Sequence, residues 1–246
     1  MADDPLAALA DLPGVGEASQ RVRDAVDAVH LHPANRRGWP ATAAEAAMRA
    51  ARASAALDGA DPRLPDPSTG AVDPILAGAV RVAESIGPLL ATWQRAPLQA
   101  LARLHVLAAA DLVGDDSLGR PRAEDEVSAR LNLLARTVTA RSTAPGVVQA
   151  AVVHAELLAL APFGVGDGVV ARAAARLTAV ATGLDSKGLA VPEVGHLRRR
   201  DGYAEALAGY RGGTAEGVTG WLLHCCDAWL AGAREARNIA EALVTR

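Results

Sequence analysis

Apolar residues recur at helical spacing along most of the chain, and nowhere alternate at period two long enough to build a sheet. The first 20 residues, with Pro5, Pro13, Gly14 and Gly16, read as a loosely attached arm. Helical periodicity begins near Ala18 and ends around His32 and Pro33. A loop over 35–40 follows, and Thr42 with Glu45 makes a capping box for a helix running to Leu57. Gly59 is that helix's C-terminal stop, and Asp61-Pro62 bars continuation. Pro62, Pro65 and Pro67, with Asp, Ser and Gly, mark 60–72 as a linker within the domain. Asp73-Pro74 is a helix start with proline in the first turn, and helices are predicted over 74–92 and 96–112. The stretch 113–123 is the most irregular in the middle of the chain. Helices follow at about 124–140, 146–160 and 167–182, then a Gly/Pro loop over 183–195, then helices at about 198–210 and 214–243. The prediction is an all-α bundle of about eight helices.

Composition strengthens it. Half of the 246 residues are hydrophobic but only 3% are aromatic, so Ala, Leu and Val must build the core. Ala and Leu are the strongest helix formers, while aromatic and β-branched strand formers are scarce.

Charge removes some functions. A net charge of -3 supplies no basic surface for phosphates, so no nucleic-acid partner is expected. The run Arg198-Arg199-Arg200 is short and reads as a solvated helix start. The acidic start shows no secretory signal, and no uninterrupted apolar run approaches the roughly 18 residues of a membrane span, so no membrane partner and a cytoplasmic location are expected. Cys225 and Cys226 are adjacent in an apolar stretch, read as small core residues without metal-site spacing.

One segment carries chemistry: Leu160-Ala-Pro-Phe-Gly-Val-Gly-Asp-Gly-Val-Val-Ala-Arg172. An apolar helix runs into a loop with three glycines, and a second helix starts at its end. Such a loop presents backbone N–H groups outward at a helix N-terminus, where the dipole favours an anion. Phe163 is the single phenylalanine in the chain.

The segment resembles the signature of the Fic (Fido) family, H-P-F-x-[DE]-G-N-G-R-x-x-R. Ala161 stands at the histidine, followed by Pro162 and Phe163; Val165 stands at the acidic position, and Gly166 and Gly168 match the glycines. Asp167 replaces asparagine, Val169 replaces the first arginine, and Arg172 matches the second. Upstream, the helix from Pro145 with His154 looks like the family's lead-in; downstream, Tyr203, Trp221 and the last helix resemble its tail. Ser54-Ala-Ala-Leu-Asp58-Gly59 spans a stretch that is similar to the family's inhibitory helix motif, with Asp for Glu. The resemblance implies a Fic-like domain over 41–246 that includes the inhibitory-type helix, preceded by an arm and first helix over 1–40. It also implies a short irregular or hairpin flap near 113–123.

In the family, the motif histidine is the general base that frees a target hydroxyl to attack ATP, and AMP is transferred. The acidic residue holds magnesium, the glycine turn forms an anion hole, and the arginines hold phosphates. Ala161 takes no proton, a loss worth about 10²–10⁴-fold by itself. Val165 cannot ligate magnesium, and Val169 brings no charge. The resemblance therefore implies no catalytic residue, with a nucleotide-binding remnant of Gly166, Asp167, Gly168 and Arg172 and an inhibitory-type motif of Ser54, Asp58 and Gly59. Asp58 and Arg172 are expected to form an ion pair closing the old pocket, through a bridging water if the shorter Asp cannot reach. The expectation is a pseudo-AMP-transferase serving as a binding or regulatory module, with no resident metal or cofactor, an unidentified protein partner, and a homodimer as an option. The alternative is a Fic-type transferase or hydrolase of altered chemistry, using ATP and magnesium with Asp167 holding the metal. A third reading is a helical protein with accidental motif similarity.

Other constellations are poor. His30 and His32 are too close for one helix face, and His105, His196 and His224 have no evident partners. Trp221 and Trp229, eight apart, read as core.

Overall fold

The computed structural model describes residues 4–61 and 72–244. These residues form a 3-10 turn (Ala7–Asp11) and eleven α-helices, with no strand among them. In chain order the helices are α1 (Val15–Leu31), α2 (Pro33–Arg37), α3 (Trp39–Leu57), α4 (Pro74–Arg95), α5 (Pro97–Ala109), α6 (Asp125–Thr139), α7 (Gly146–Leu160), α8 (Asp167–Ala181), α9 (Pro192–Arg198), α10 (Arg200–Arg211) and α11 (Ala215–Val244).

α7 is apolar on every side, and its position follows: it is the central helix, with Val147, Val148, Ala151, Val153, Leu157 and His154 all buried. On one side it joins Val15, Val22, Val26 and Val29 of α1 and Trp221, Leu222 and Trp229 of α11 in one apolar cluster. On the other it joins Leu76 and Val82 of α4, Leu101 and Leu104 of α5, and Val169 and Leu177 of α8. The small residues allow close approach. A Cβ on Gly78 of α4 would overlap the carbonyl of Ala108 at the end of α5, so only glycine permits that crossing. Among the described residues, α4 is the one helix long and apolar enough to cross a membrane by length and composition. It packs against α3, α5 and α8, and its Arg81 reaches the Leu107 carbonyl and Asp111.

The described residues hold eleven helices where about eight are expected, because a proline marks a break and a first helical turn equally well. Pro33 and Pro192 instead occupy the first helical positions, where the missing N–H costs nothing, and start α2 and α9. The Gly/Pro loop over 183–195 therefore ends inside α9. The expected capping box at Thr42 and Glu45 is also corrected. α3 has already begun at Trp39; the Thr42 hydroxyl lies 2.7 Å from Asn35 Oδ1 and 2.9 Å from the Trp39 carbonyl, while Glu45 pairs with Arg49 at 2.7 Å. Nor is the start of the chain, from residue 4 on, a loose arm. Leu6 is buried, and the Asp4 carboxylate accepts from the Thr143 N–H at 2.7 Å and the Ser142 hydroxyl at 3.1 Å, tying it to the loop before α7. These donors, the Thr143 N–H foremost, hold Asp4 below the usual carboxylate range. Asp73 caps α4 as expected, accepting from Ile75 and Leu76. Most of the proposed linker over 60–72 lies outside the described residues.

Candidate functional site

α7 ends at Leu160, and the chain turns through Ala161 into α8. Ala161 has φ 44° and ψ 61°, the one non-glycine residue in the left-handed region among those described. A Cβ there costs about 1–2 kcal/mol, so the surroundings must hold the turn. Arg122 does much of this from the irregular stretch. Its Nε and Nη2 donate to the Ala161 and Leu160 carbonyls at 3.1 and 3.0 Å, and its N–H donates to the Pro162 carbonyl at 2.8 Å. Those carbonyls belong to the unpaired C-terminal end of α7, where a cation is favoured.

Phe163 stacks on His105 of α5, with ring centroids 4.1 Å apart and planes 5° from parallel. His105 Nδ1 accepts from the Gly119 N–H at 2.9 Å, which leaves the proton on Nε2 for the Val165 carbonyl at 3.2 Å. Burial lowers its pKa and keeps the ring neutral. His105 is thus not without partners, as the sequence suggested: it clamps 113–123 onto the motif loop. That stretch is a series of turns without a hairpin.

Asp167 opens α8 and turns back, accepting from the Phe163 N–H at 2.9 Å. Its other oxygen, Oδ2, is buried without a partner, and burial lifts the carboxyl above the ordinary range. Gly166 precedes it with φ 73°, a conformation that favours glycine.

Ser54 and Asp58, at the end of α3, meet Arg172 one turn into α8. The arginine side chain is 3% exposed, and its contacts toward α3 are Nη2 to Asp58 Oδ1 at 2.7 Å, Nη2 to the Ser54 carbonyl at 2.9 Å, and Nε to Ser54 Oγ at 2.8 Å. The ion pair is direct, so no bridging water is needed. A Cβ on Gly168 would overlap the Asp58 carboxylate, which therefore sits against the first turn of α8. The positive end of the helix dipole favours a negative group there. Gly59, at φ 94°, has open space where a side chain would stand and ends α3. Val165 is 40% exposed, whereas Val169 is buried in the α4–α5–α8 cluster. A cavity of about 290 Å³ lies between α3, α4 and α8, lined mainly by alanine and aliphatic side chains, with Arg172, Arg176 and Lys187 as its cations.

Sequence reasoning missed a second cluster behind Arg172. His154 of α7 lies 2.8 Å from the Tyr203 hydroxyl, and His196 of α9 lies 3.1 Å from His224 of α11. Trp221 packs edge-on to His154. Burial, with Arg172 nearby, holds His154 well below the usual imidazole value, and burial does the same to His196. The same burial pushes Tyr203 up to about 12. His196 and His224 thus have the partners that no spacing in the sequence revealed; the signal was only the polar residues inside otherwise apolar helices.

Two solved structures share this architecture. A Fic family protein from Desulfovibrio desulfuricans G20 matches with a TM-score of 0.69 and 18% identity, over 92% of this chain and 74% of that one. Fic-1 (residues 134–508) from C. elegans matches with a TM-score of 0.71 and 14% identity, over 93% of this chain and 73% of that one. No protein-family model matches the chain, and no curated protein matches it.

Proposed function

We propose that this chain, which has the Fic fold, is a catalytically silent Fic-type protein that works as a binding or regulatory module for a protein partner. The observation that carries the reading is the residue at the end of α7: Ala161 stands where such a site needs its proton acceptor. No neighbour replaces it. Both nitrogens of His105 are engaged, and His154 is buried against Tyr203. Proton transfer needs a base within about 3 Å, or one water, of the proton it takes.

Magnesium and a nucleotide triphosphate do not fit the residues present. Val165 offers no ligand oxygen. Val169 is buried among aliphatic side chains, and Arg172 is already bound by Asp58 and Ser54. The Asp58 carboxylate also brings negative charge to the turn where a phosphate would need N–H groups and cations. Arg122 and His105 hold the flap against the motif loop, so the surface presented there is preformed, which suits recognition.

The test is calorimetric titration with ATP, with and without magnesium, of wild type and Asp58→Gly, followed by a labelled-ATP transfer assay. The expected result is no heat in wild type and no transfer in either protein. Heat in Asp58→Gly alone identifies Asp58 as a latch over a retained pocket. Magnesium-dependent binding with label transfer in wild type overturns the reading.

One observation favours the altered-chemistry alternative, in which Asp167 holds the metal: Asp167 Oδ2 is buried and unpartnered. Under that reading magnesium-dependent ATP binding appears in wild type and is lost in Asp167→Asn.

A further inference from the structure

We propose that His154, His196 and Cys225 form a buried site for one divalent cation of the zinc class. The three side chains come from α7, α9 and α11, and one ligand atom from each lies within 4.8 Å of the other two. All three are buried, at 3%, 3% and 2% exposure. They line a cavity of about 10 Å³, the room of about one water-sized sphere. At a tetrahedral zinc with bonds of about 2.0–2.3 Å, ligand atoms stand about 3.5 Å apart, so binding draws these side chains inward by about 1 Å. Two imidazoles and a thiolate are the borderline-soft set that selects zinc over magnesium or calcium.

The surroundings supply what a metal-bound imidazole needs on its other nitrogen. His154 Nε2 is engaged by Tyr203 and His196 Nδ1 by His224, which orients both rings and leaves the second nitrogen of each for the ion. Cys225 binds as thiolate: the sulfur–metal bond forms as the S–H bond breaks, and the proton leaves to solvent. Arg172 and Arg176 share the cavity wall and oppose a cation. Each is already neutralised, Arg172 by Asp58 at 2.7 Å and Arg176 by Glu193 at 3.1 Å, and the thiolate cancels one of the two positive charges. The ion would bridge three helices that already approach closely, as where Gly195 of α9 meets Ala228 of α11.

The test uses cobalt(II) as the probe on the full, reduced chain. One equivalent is expected to give visible d–d bands with a near-ultraviolet thiolate-to-cobalt band, displaced by zinc. Cys225→Ala should lose the thiolate band, whereas Cys226→Ala, changed one residue away, should keep it. Far-ultraviolet dichroism checks that each variant is folded. Should Cys225→Ala not fold, wild type decides: equimolar zinc should raise its unfolding midpoint, and EDTA should reverse the rise. No thiolate band in wild type, or an unchanged band in folded Cys225→Ala, overturns the proposal.

Discussion

Arg172 Nη2 lies 2.7 Å from Asp58 Oδ1, joining the end of α3 to the first turns of α8 across 114 residues of sequence. The arginine side chain is 3% exposed and the aspartate 23%, so the pair is desolvated on one side only. Breaking a buried pair from one end leaves an uncompensated charge and costs about 3–5 kcal/mol; partial exposure and the two Ser54 contacts lower that here.

The first prediction is therefore a loss of about 2 kcal/mol for Asp58→Ala, with a smaller loss for Asp58→Asn, which keeps an acceptor. For a chain of this size that lowers the unfolding midpoint by about 4–8 °C. Thermal unfolding checks it. No change in midpoint or in nucleotide binding for either variant would rule out the Asp58–Arg172 pair as a tie between α3 and α8.

Gly168 tests the same contact from the other side. Its Cβ would collide with the Asp58 carboxylate, so Gly168→Ala should destabilise wild type but do little in the Asp58→Ala background. A double-mutant cycle by chemical denaturation should show a coupling of about 1–2 kcal/mol. Additive effects would mean that the collision is relieved by a shift of α3.

Asp167 predicts a pH dependence. Burial, against the Phe163 and Gly164 N–H groups, raises its folded pKa above the unfolded one. Folding thus favours the protonated acid: the contribution is fully present below the unfolded pKa and is lost as pH rises through the folded pKa. Asp167→Asn keeps an acceptor for Phe163 and removes the charge. Its midpoint should exceed wild type's at pH 7 and match it near pH 3, below the ordinary carboxylate value of about 3.9. An offset equal at both pH values would place the effect elsewhere.

Arg122 should control the flap. Arg122→Ala removes donors to the Leu160 and Ala161 carbonyls, while its backbone bond to Pro162 survives. The arginine is exposed, so the expected global cost is about 1 kcal/mol. Limited proteolysis should nevertheless cut within 113–123 several-fold faster than in wild type. Equal cleavage rates would leave His105 as the flap's anchor.

Much of this was legible in the amino-acid order, for local reasons. Alanine and leucine at 3.6-residue spacing specify helices wherever they lie, and predicted 146–160 matches α7 end to end. The motif loop was recognisable because residue types at fixed spacing carry its geometry: glycines at the positive-φ positions 164 and 166, and Asp167 at a helix start. The short helices α2 and α9 were not, because proline signals a break and a first turn equally well.

Sequence by itself determined the helical class, the turn between α7 and α8, and the absence of an ionisable group at Ala161, since each depends on neighbours within a few positions. Tertiary structure alone decided the rest. That Asp58 is close enough to reach Arg172 without a water depends on how closely α3 packs against α8. That His154, His196 and Cys225 share one small cavity depends on how α7, α9 and α11 cross. Crossing distance and rotation are set by the summed packing of side chains such as Gly78, Gly195 and Trp221, and no local spacing encodes that sum.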